Sequence, residues 1–316
     1  MYKGEGEMLK KKIGRTELIV SPVGLGTNAV GGHNIYNYMT DDGGRKILRA
    51  AFDCGMDFID TAYWYGLGRS EELISDVMGE YRNRNDIVIA TKAAHRFEEG
   101  NVVMDNSVEF MVKSVYDSMA RLGTDYIDLF YVHYPDKETP KYEVIGALKD
   151  LKDKGVIKAI GVSNFNMEQL EEANRDGYID VIQGHYNLLK RDAENDLIPY
   201  CREKGISFVP YYPLASGFLT GKFNRYSTFM DSRTNNPLFK GKAFLENLEK
   251  VDKLKAMAKK LDVEPQNLAL AWYLAQDGID AVIPGAKNVK QVMSNCNAMT
   301  LRLSDSEIAA IDEMFK

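Results

Sequence analysis

IDLFYVHYPD, residues 127–136, is a short apolar run that ends in an ionisable side chain, His133. Two upstream segments share this form: FID at 58–60 closes on Asp60, and IVIATK at 87–92 closes on Lys92. Tyr65 follows Asp60 closely, in TAYWYG. Each strand-like run stops at its polar residue, so an acid, an ammonium, an imidazole and a phenol converge on one rim. Chemical groups at the C-terminal ends of successive parallel strands are the pattern of a parallel α/β barrel. The expected fold is therefore α/β, a (β/α)8 TIM barrel.

Outward from these runs, the same signal recurs at 22–27, 157–162, 181–183, 207–211 and 281–284, which brings the strand count to eight. Between most of them apolar residues fall at helical spacing, as with Val108, Met111, Val112, Val115, Met119 and Leu122, a pattern that stops at Gly123. Alternation of strand and helix demands a mainly parallel sheet, and strands apolar on both faces are buried on both sides. LKKKIGRTELIV at 9–20 reads as an N-terminal hairpin that plugs the barrel bottom. A long insertion separates strands seven and eight, from Tyr212 to Asp280, with a polar, Asn-rich stretch at 224–241; connections of that length usually carry function. Helices are expected at about 245–261 and 265–277, from about 289, and after Ser304, where Glu307 completes a capping box. Residues 1–316 read as one barrel domain, with 1–8 as a frayed terminus.

Composition narrows the class. The chain is 45% hydrophobic and 27% charged, enough apolar material for a large core. A net charge of -6 argues against a nucleic-acid partner, so any phosphate must be met locally. Cys54, Cys201 and Cys296 are odd in number and far apart, which fits neither a disulfide scaffold nor a metal site and points to the reducing cytoplasm. No run approaches the roughly 18 apolar residues of a membrane span, and the basic start lacks the apolar core of a signal peptide.

The four polar residues suggest a reaction class. A phenol with a reference pKa of ~10 acts as a general acid near neutrality when neighbours favour its anion. Lys92 is placed to do so, Asp60 to pair with Lys92, and His133 to orient a carbonyl oxygen. Such an assembly protonates an oxygen that gains negative charge. No activated nucleophile, pair of carboxylates at a scissile bond or metal signature accompanies it. Hydride transfer to a carbonyl fits, and hydride requires a cofactor.

These segments, with GLGT at 24–27, GRSEEL at 68–73, IGVSNF at 160–165, QGHYN at 183–187 and PYYPLASGFLTGK at 210–222, resemble the aldo-keto reductases along nearly the whole chain. GLGTNAVGGHN, ATKAAHR and IPGAKN further resemble the bacterial branch linked with inositol utilisation. The resemblance implies that Tyr65 is the proton donor, that Lys92 lowers its pKa, that Asp60 pairs with Lys92 and that His133 orients the carbonyl. It also implies NADPH/NADP+ stretched across the rim. Gly26, Thr27, Asp60, Ser163, Asn164 and Gln183 would flank the nicotinamide, with Tyr211 as its stacking ring, although Asn166 and Gln169 also account for that turn as a helix cap.

Pro213, Leu214, Ser216, Gly217, Leu219 and Lys222 would form the loop folded over the cofactor, where Lys222 meets a pyrophosphate. Gly285, Lys287, Gln291 and Asn295 lie at a helix N-terminus that suits a phosphate, with Lys287 toward the adenosine 2'-phosphate. Gly285-Ala286 stands where many eukaryotic branches have Lys-Ser, so the preference for NADPH over NADH falls on Lys287. Trp64, His33, His95 and Tyr134, with Tyr36, Tyr63 and Phe218, are expected to line a pocket for an uncharged small-molecule carbonyl.

Two other classes compete. Relatives of this fold serve as potassium-channel β subunits, so a cofactor-sensing interaction protein is the alternative. A phosphate-binding isomerase would need a glutamate base that the strand ends lack. A dinucleotide fingerprint is excluded because Ala29 stands where its third glycine belongs. The sequence leaves the physiological substrate, the reaction direction and the oligomeric state open.

Overall fold

The structure, a computed structural model, describes residues 10–316 apart from 82 and 99. The terminus at 1–8 lies outside the described residues. Lys11–Lys12 (β1) pairs antiparallel with Ile19–Val20 (β2). A seven-stranded parallel sheet then runs through Leu25–Gly26 (β3), Phe58–Asp60 (β4), Val88–Ala93 (β5), Ile127–Val132 (β8), Ile157–Ser163 (β9), Val181–His185 (β10) and Ser207–Tyr211 (β11), neighbours in that order. Between β5 and β8 stands a separate antiparallel hairpin, His95–Glu98 (β6) with Asn101–Met104 (β7). The helices are Asp41–Asp53 (α1), Arg69–Tyr81 (α2), Val108–Leu122 (α3), Lys141–Asp153 (α4), Met167–Ala173 (α5), Leu197–Lys204 (α6), Gly241–Lys260 (α7), Pro265–Leu274 (α8), Val289–Cys296 (α9) and Asp305–Met314 (α10).

The sheet curls until its first strand meets the segment at 281–285, giving a TIM-barrel-like fold. Val23 faces Val282 and Gly26 faces Gly285 in parallel bridges, joined by Gly24 N–H to Val282 O at 2.8 Å and Val282 N–H to Pro22 O at 2.9 Å. The expectation of a regular eighth strand at 281–284 is corrected here: the segment makes isolated bridges instead of a ladder. Pro284 has no N–H to give, which limits the pairing at this position.

Side-chain parity explains how the site is built. Phe58, Ala90, Leu129, Tyr131, Ala159, Val181 and Val209 fill one buried cluster inside the curl, while Ile59, Ile89, Phe130, Val132, Ile160 and Ile182 belong to the larger cluster against the helices. Alternation by two therefore puts Asp60, Lys92, Gln183 and Tyr211 on the interior face, one step beyond the apolar layer. Ile13, Leu18 and Val20 of the hairpin join the interior cluster. Their segment meets residues that precede strands: Ser21 N–H donates to Asp57 at 2.5 Å and Gly14 N–H to Asp280 at 2.9 Å. One end of the barrel is thus closed by apolar side chains and the other is left to the polar layer.

Local signals set the helix ends. Ser107 caps α3, which ends at Gly123 in the left-handed region at φ 61°; Asn166 and Gln169 cap α5 reciprocally, as Ser304 and Glu307 cap α10. No helix among the described residues is long and apolar enough to cross a membrane.

Candidate active site

Asp60 and Lys92 end neighbouring strands, and their side chains are 1% and 0% exposed as residues. Lys92 Nζ donates to Asp60 Oδ1 at 2.6 Å and to Thr61 O at 2.8 Å, while Gln183 Nε2 donates to Asp60 Oδ2 at 2.8 Å. Gln183 crosses the barrel interior to do so, from β10 to β4. Burial pushes the Asp60 carboxyl up and the Lys92 ammonium down, and each charge opposes the shift of the other. Behind the pair lies a second buried knot that the sequence reading missed. Thr91 Oγ1 donates to Glu71 at 2.6 Å, and Arg121 Nε donates to the same carboxylate at 2.5 Å.

Lys92 Nζ stands 5.7 Å from the centre of the Tyr65 ring and 5.4 Å from that of Tyr131. His133 meets Tyr65 edge-on with ring centres 6.3 Å apart. The electrostatic expectation for Tyr65 is corrected: burial first, then the negative charge of Asp60, push its phenol well above the usual range. The phenol is therefore protonated through neutral pH. Burial, assisted by Lys92 and His95, holds His133 well below the usual imidazole range, so the ring is neutral. Its Nδ1 is enclosed without a partner.

An aromatic wall flanks this layer. Trp64 stacks on His95 with ring centres 4.5 Å apart and lies 6.2 Å from Phe97. His95 also meets His133 at 5.1 Å and Tyr134 at 5.5 Å. Phe97 belongs to the β6–β7 hairpin, absent from the sequence reading; its signal was the alternation HRFE and NVVM about Gly100. Burial lowers His95 to about 4. Between that value and the reference imidazole pKa the unfolded chain binds the extra proton, so stability rises with pH across this window and is lost on acidification. Denaturant unfolding at pH 7 and pH 5 should differ by about 1 kcal/mol through His95 after allowance for its solvent contact. His95→Gln should shrink that difference, and an unchanged pH dependence would remove His95 as its source.

The remaining site residues fall into three groups. Asn164, at φ 63°, makes three side-chain bonds and keeps one acceptor position on Oδ1: Nδ2 donates to His133 O and to Ser163 Oγ, both at 3.0 Å, and Tyr211 Oη donates to Oδ1 at 2.9 Å. His185 stacks on Tyr211 with ring centres 5.2 Å apart, and Tyr212 meets the Tyr211 ring at 5.3 Å and 80°. Thr27 is buried and bonds Asp60 O through both N–H (2.9 Å) and Oγ1 (3.0 Å).

A second group gathers at the far end of the rim. A Cβ on Gly26 would lie 2.8 Å from Ile283 O, so close backbone approach there needs glycine, and one on Gly285 would lie 3.0 Å from Asn28 Oδ1. Lys287 Nζ rests 4.1 Å above the Tyr36 ring and donates to Tyr38 Oη, while its N–H donates to Gln291 Oε1 at 2.8 Å. Burial, then Arg233 and Lys287, lower the Lys222 ammonium. Lys222, Arg233 and Lys287 thus share one region, with Asp231 bound to Arg233. Arg233 was missed in the sequence because it sits inside the polar insertion.

The third group departs from expectation. Phe218 and Leu219 are fully buried, Phe218 among Phe223, Phe239 and Phe244, so neither side chain lines the pocket. Asn295 is buried within α9. Pro213 O accepts from Tyr273 Oη at 2.9 Å, and Leu214 O accepts from Gly217 N–H at 2.9 Å, which shapes the turn through Ser216 at φ 55°. His33 bonds Asp41 at 2.8 Å, in an ion network with Arg69. Tyr63 lies under Arg121.

The glycine approach, three cations and the Tyr211 ring suit an elongated, anionic, ring-bearing cofactor such as a nicotinamide dinucleotide. Among the described residues no cluster of three or more His, Cys, Asp or Glu is placed to hold a metal.

Comparison with known proteins agrees with this geometry. The sequence profile of the Aldo/keto reductase family matches residues 22–316. The chain is 36% identical over 300 residues to the aldo-keto reductase YhdN of Bacillus subtilis (strain 168), covering 93% of this chain and 90% of the relative. It is 33% identical to the NADH-specific methylglyoxal reductase of Escherichia coli (strain K12), covering 97% and 98%. Among solved structures, the glycerol dehydrogenase AKR11B4 from Gluconobacter oxydans superposes with a TM-score of 0.88 at 33% identity, covering 96% and 94%. With a profile match across the barrel and relatives aligned nearly end to end, the chain belongs to the aldo/keto reductase family.

Proposed function

We propose that the protein reduces aldehydes or ketones to alcohols, reversibly, with NADPH. The observation that carries this reading is the buried Asp60–Lys92–Gln183 knot, beside which Tyr65 and neutral His133 face one another. NADPH, when bound, supplies the hydride. Ser163, Asn164, Gln183 and the ring of Tyr211 would hold its nicotinamide end, and Lys222, Arg233 and Lys287 its phosphates.

The chain's own groups handle the oxygen. His133 Nε2–H donates a hydrogen bond to the substrate carbonyl and fixes its direction. As the oxygen gains negative charge, Tyr65 hands over its phenolic proton, and the Lys92 ammonium stabilises the phenolate that forms. Asp60 keeps Lys92 oriented, and solvent returns the proton to Tyr65. The wall of Trp64, His95, Phe97 and Tyr134 excludes water from one side of the reacting carbonyl and favours uncharged substrates.

The relatives named for methylglyoxal and glycerol put vicinally oxygenated carbonyls first among candidate substrates. The likeness of ATKAAHR and IPGAKN to the inositol-linked branch adds cyclic polyol ketones. We place the reaction in the cytoplasm, where the free thiols of Cys54, Cys201 and Cys296 stay reduced. The test is oxidation of NADPH and of NADH with such a panel, together with fluorescence titration of each cofactor. Absence of binding by both would overturn the reading, and tight binding without turnover of any carbonyl would favour a sensing role.

Cofactor choice gives its own prediction. Lys287→Ala should weaken NADPH about tenfold or more, the worth of a charge-assisted bond to phosphate, with NADH nearly unchanged. An equal loss with both cofactors would remove Lys287 from the 2'-phosphate.

A further inference from the structure

Tyr65 opens a turn with an unusual backbone. Gly66, Leu67 and Gly68 have φ of 71°, 55° and 97°, and a left-handed non-glycine residue such as Leu67 is disfavoured unless its surroundings hold it. Bonds within the turn run from Tyr65 N–H to Ala62 O (3.0 Å), from Gly68 N–H to Tyr63 O (2.7 Å) and from Ser70 N–H to Tyr65 O (3.1 Å). None of these ties the two peptide planes on either side of the Tyr65 Cα to each other.

A side chain from another loop does. Asn34 Nδ2 donates to Trp64 O at 3.0 Å, and Asn34 Oδ1 accepts from Gly66 N–H at 2.9 Å. The first partner belongs to the peptide before Tyr65 and the second to the peptide after it. One planar carboxamide therefore spans both planes and sets the φ and ψ of Tyr65, from which the direction of its side chain follows. The loop that carries Asn34 is itself anchored. His33 binds Asp41 at 2.8 Å, Asp41 binds Arg69 at 2.6 Å, and Arg69 opens the helix that follows the turn. Gly31 O lies where a Cβ on Gly66 would stand, at 2.0 Å, so the loops are in direct backbone contact.

We propose that Asn34 is a positioning residue for Tyr65, a role that rests on the proton-donor function proposed for that tyrosine. Asn34 is exposed, so water can replace its bonds at little cost to the fold. Geometry responds more sharply, since a displacement of about 1 Å in a reacting group costs on the order of 100-fold in rate.

The experiment is a double-mutant cycle in the full-length enzyme, with single-turnover reduction of the best carbonyl as readout. Asn34→Ala should lower the rate about 10- to 100-fold, with KM and NADPH Kd changed by less than about threefold and Tm nearly unchanged. Asn34→Asp, which keeps an acceptor for Gly66 N–H but sets a carboxylate against Trp64 O, should also fall. In a Tyr65→Phe background, Asn34→Ala should cost less than about threefold, because its target hydroxyl is gone. A loss of full size in that background, or an undiminished rate in Asn34→Ala, would overturn the positioning role while leaving the reductase reading intact. Full turnover in Tyr65→Phe alone would instead remove both.

Discussion

Tyr65→Phe is expected to remove nearly all turnover while leaving the fold and cofactor binding in place. The substitution deletes one hydroxyl from a ring that keeps its contacts with His133 and Lys92. A positioned general acid contributes about 10²- to 10⁴-fold, so kcat should fall by that factor, or about 3–5 kcal/mol of barrier. NADPH affinity, followed by fluorescence, should stay within about twofold, since the lost atom is needed only as the oxygen gains charge. Turnover that survives in the variant would dismiss Tyr65 as the donor.

The pH profile of the unmodified enzyme offers a second check on the same role. A general acid works while protonated, and the phenol is held well above its usual range, so its contribution persists through neutral pH and is lost only as pH rises through that elevated value. His133 must be neutral to donate from Nε2 without competing for a proton, and it is held well below the usual imidazole range, so its contribution is lost only on strong acidification. The two shifts widen the active window on both sides. A kcat that falls sharply between pH 6 and 7 would mean that His133 or another group titrates where burial says it does not.

The barrel strands and the polar layer were readable because buried strands write a strict rule into sequence. Side chains alternate by two, and an ionisable residue at the end of an apolar run is too costly there without a partner. Asp60, Lys92 and His133 obey that rule, and Gln183 follows it on β10. The eighth strand was legible as an apolar run at 281–284 but not as bridges, because pairing depends on which N–H groups are left beside Pro284. The glycines on either side of Phe218 and Leu219 suggest a loop against ligand, with Phe218 toward the substrate pocket and Leu219 toward the cofactor, whereas both side chains are buried. Phe223, Phe229, Phe239 and Phe244 carry the opposite signal, an extension of the main core beneath the loop. Arg233 and Asn34 were illegible for a different cause. Each acts on residues distant in sequence, and only the docking of one loop on another makes a lone surface arginine or asparagine meaningful.

Lys92→Met should give the largest loss of stability, and the reason lies in what stays behind. The pair is enclosed, with Asp60 held by Lys92 Nζ at 2.6 Å and Gln183 Nε2 at 2.8 Å. Removing the ammonium leaves a buried carboxylate with one neutral donor, a change that typically costs about 3–5 kcal/mol. Burial already raises Asp60 above the usual carboxyl range, and loss of the opposing cation raises it further. A folded-state pKa above the unfolded one means that the folded protein binds the extra proton, so the variant's stability falls as pH rises through this window. Its deficit in denaturant unfolding should therefore be smaller at pH 5 than at pH 8. Adding Asp60→Asn removes the stranded charge and keeps an acceptor for Gln183, so the double variant should regain most of the lost stability. It should not regain turnover, because the cation 5.7 Å from the Tyr65 ring is still absent. Wild-type stability in Lys92→Met would show that the pair carries no buried charge. Turnover restored in the double variant would show that Lys92 serves only to neutralise Asp60 and gives the phenolate nothing.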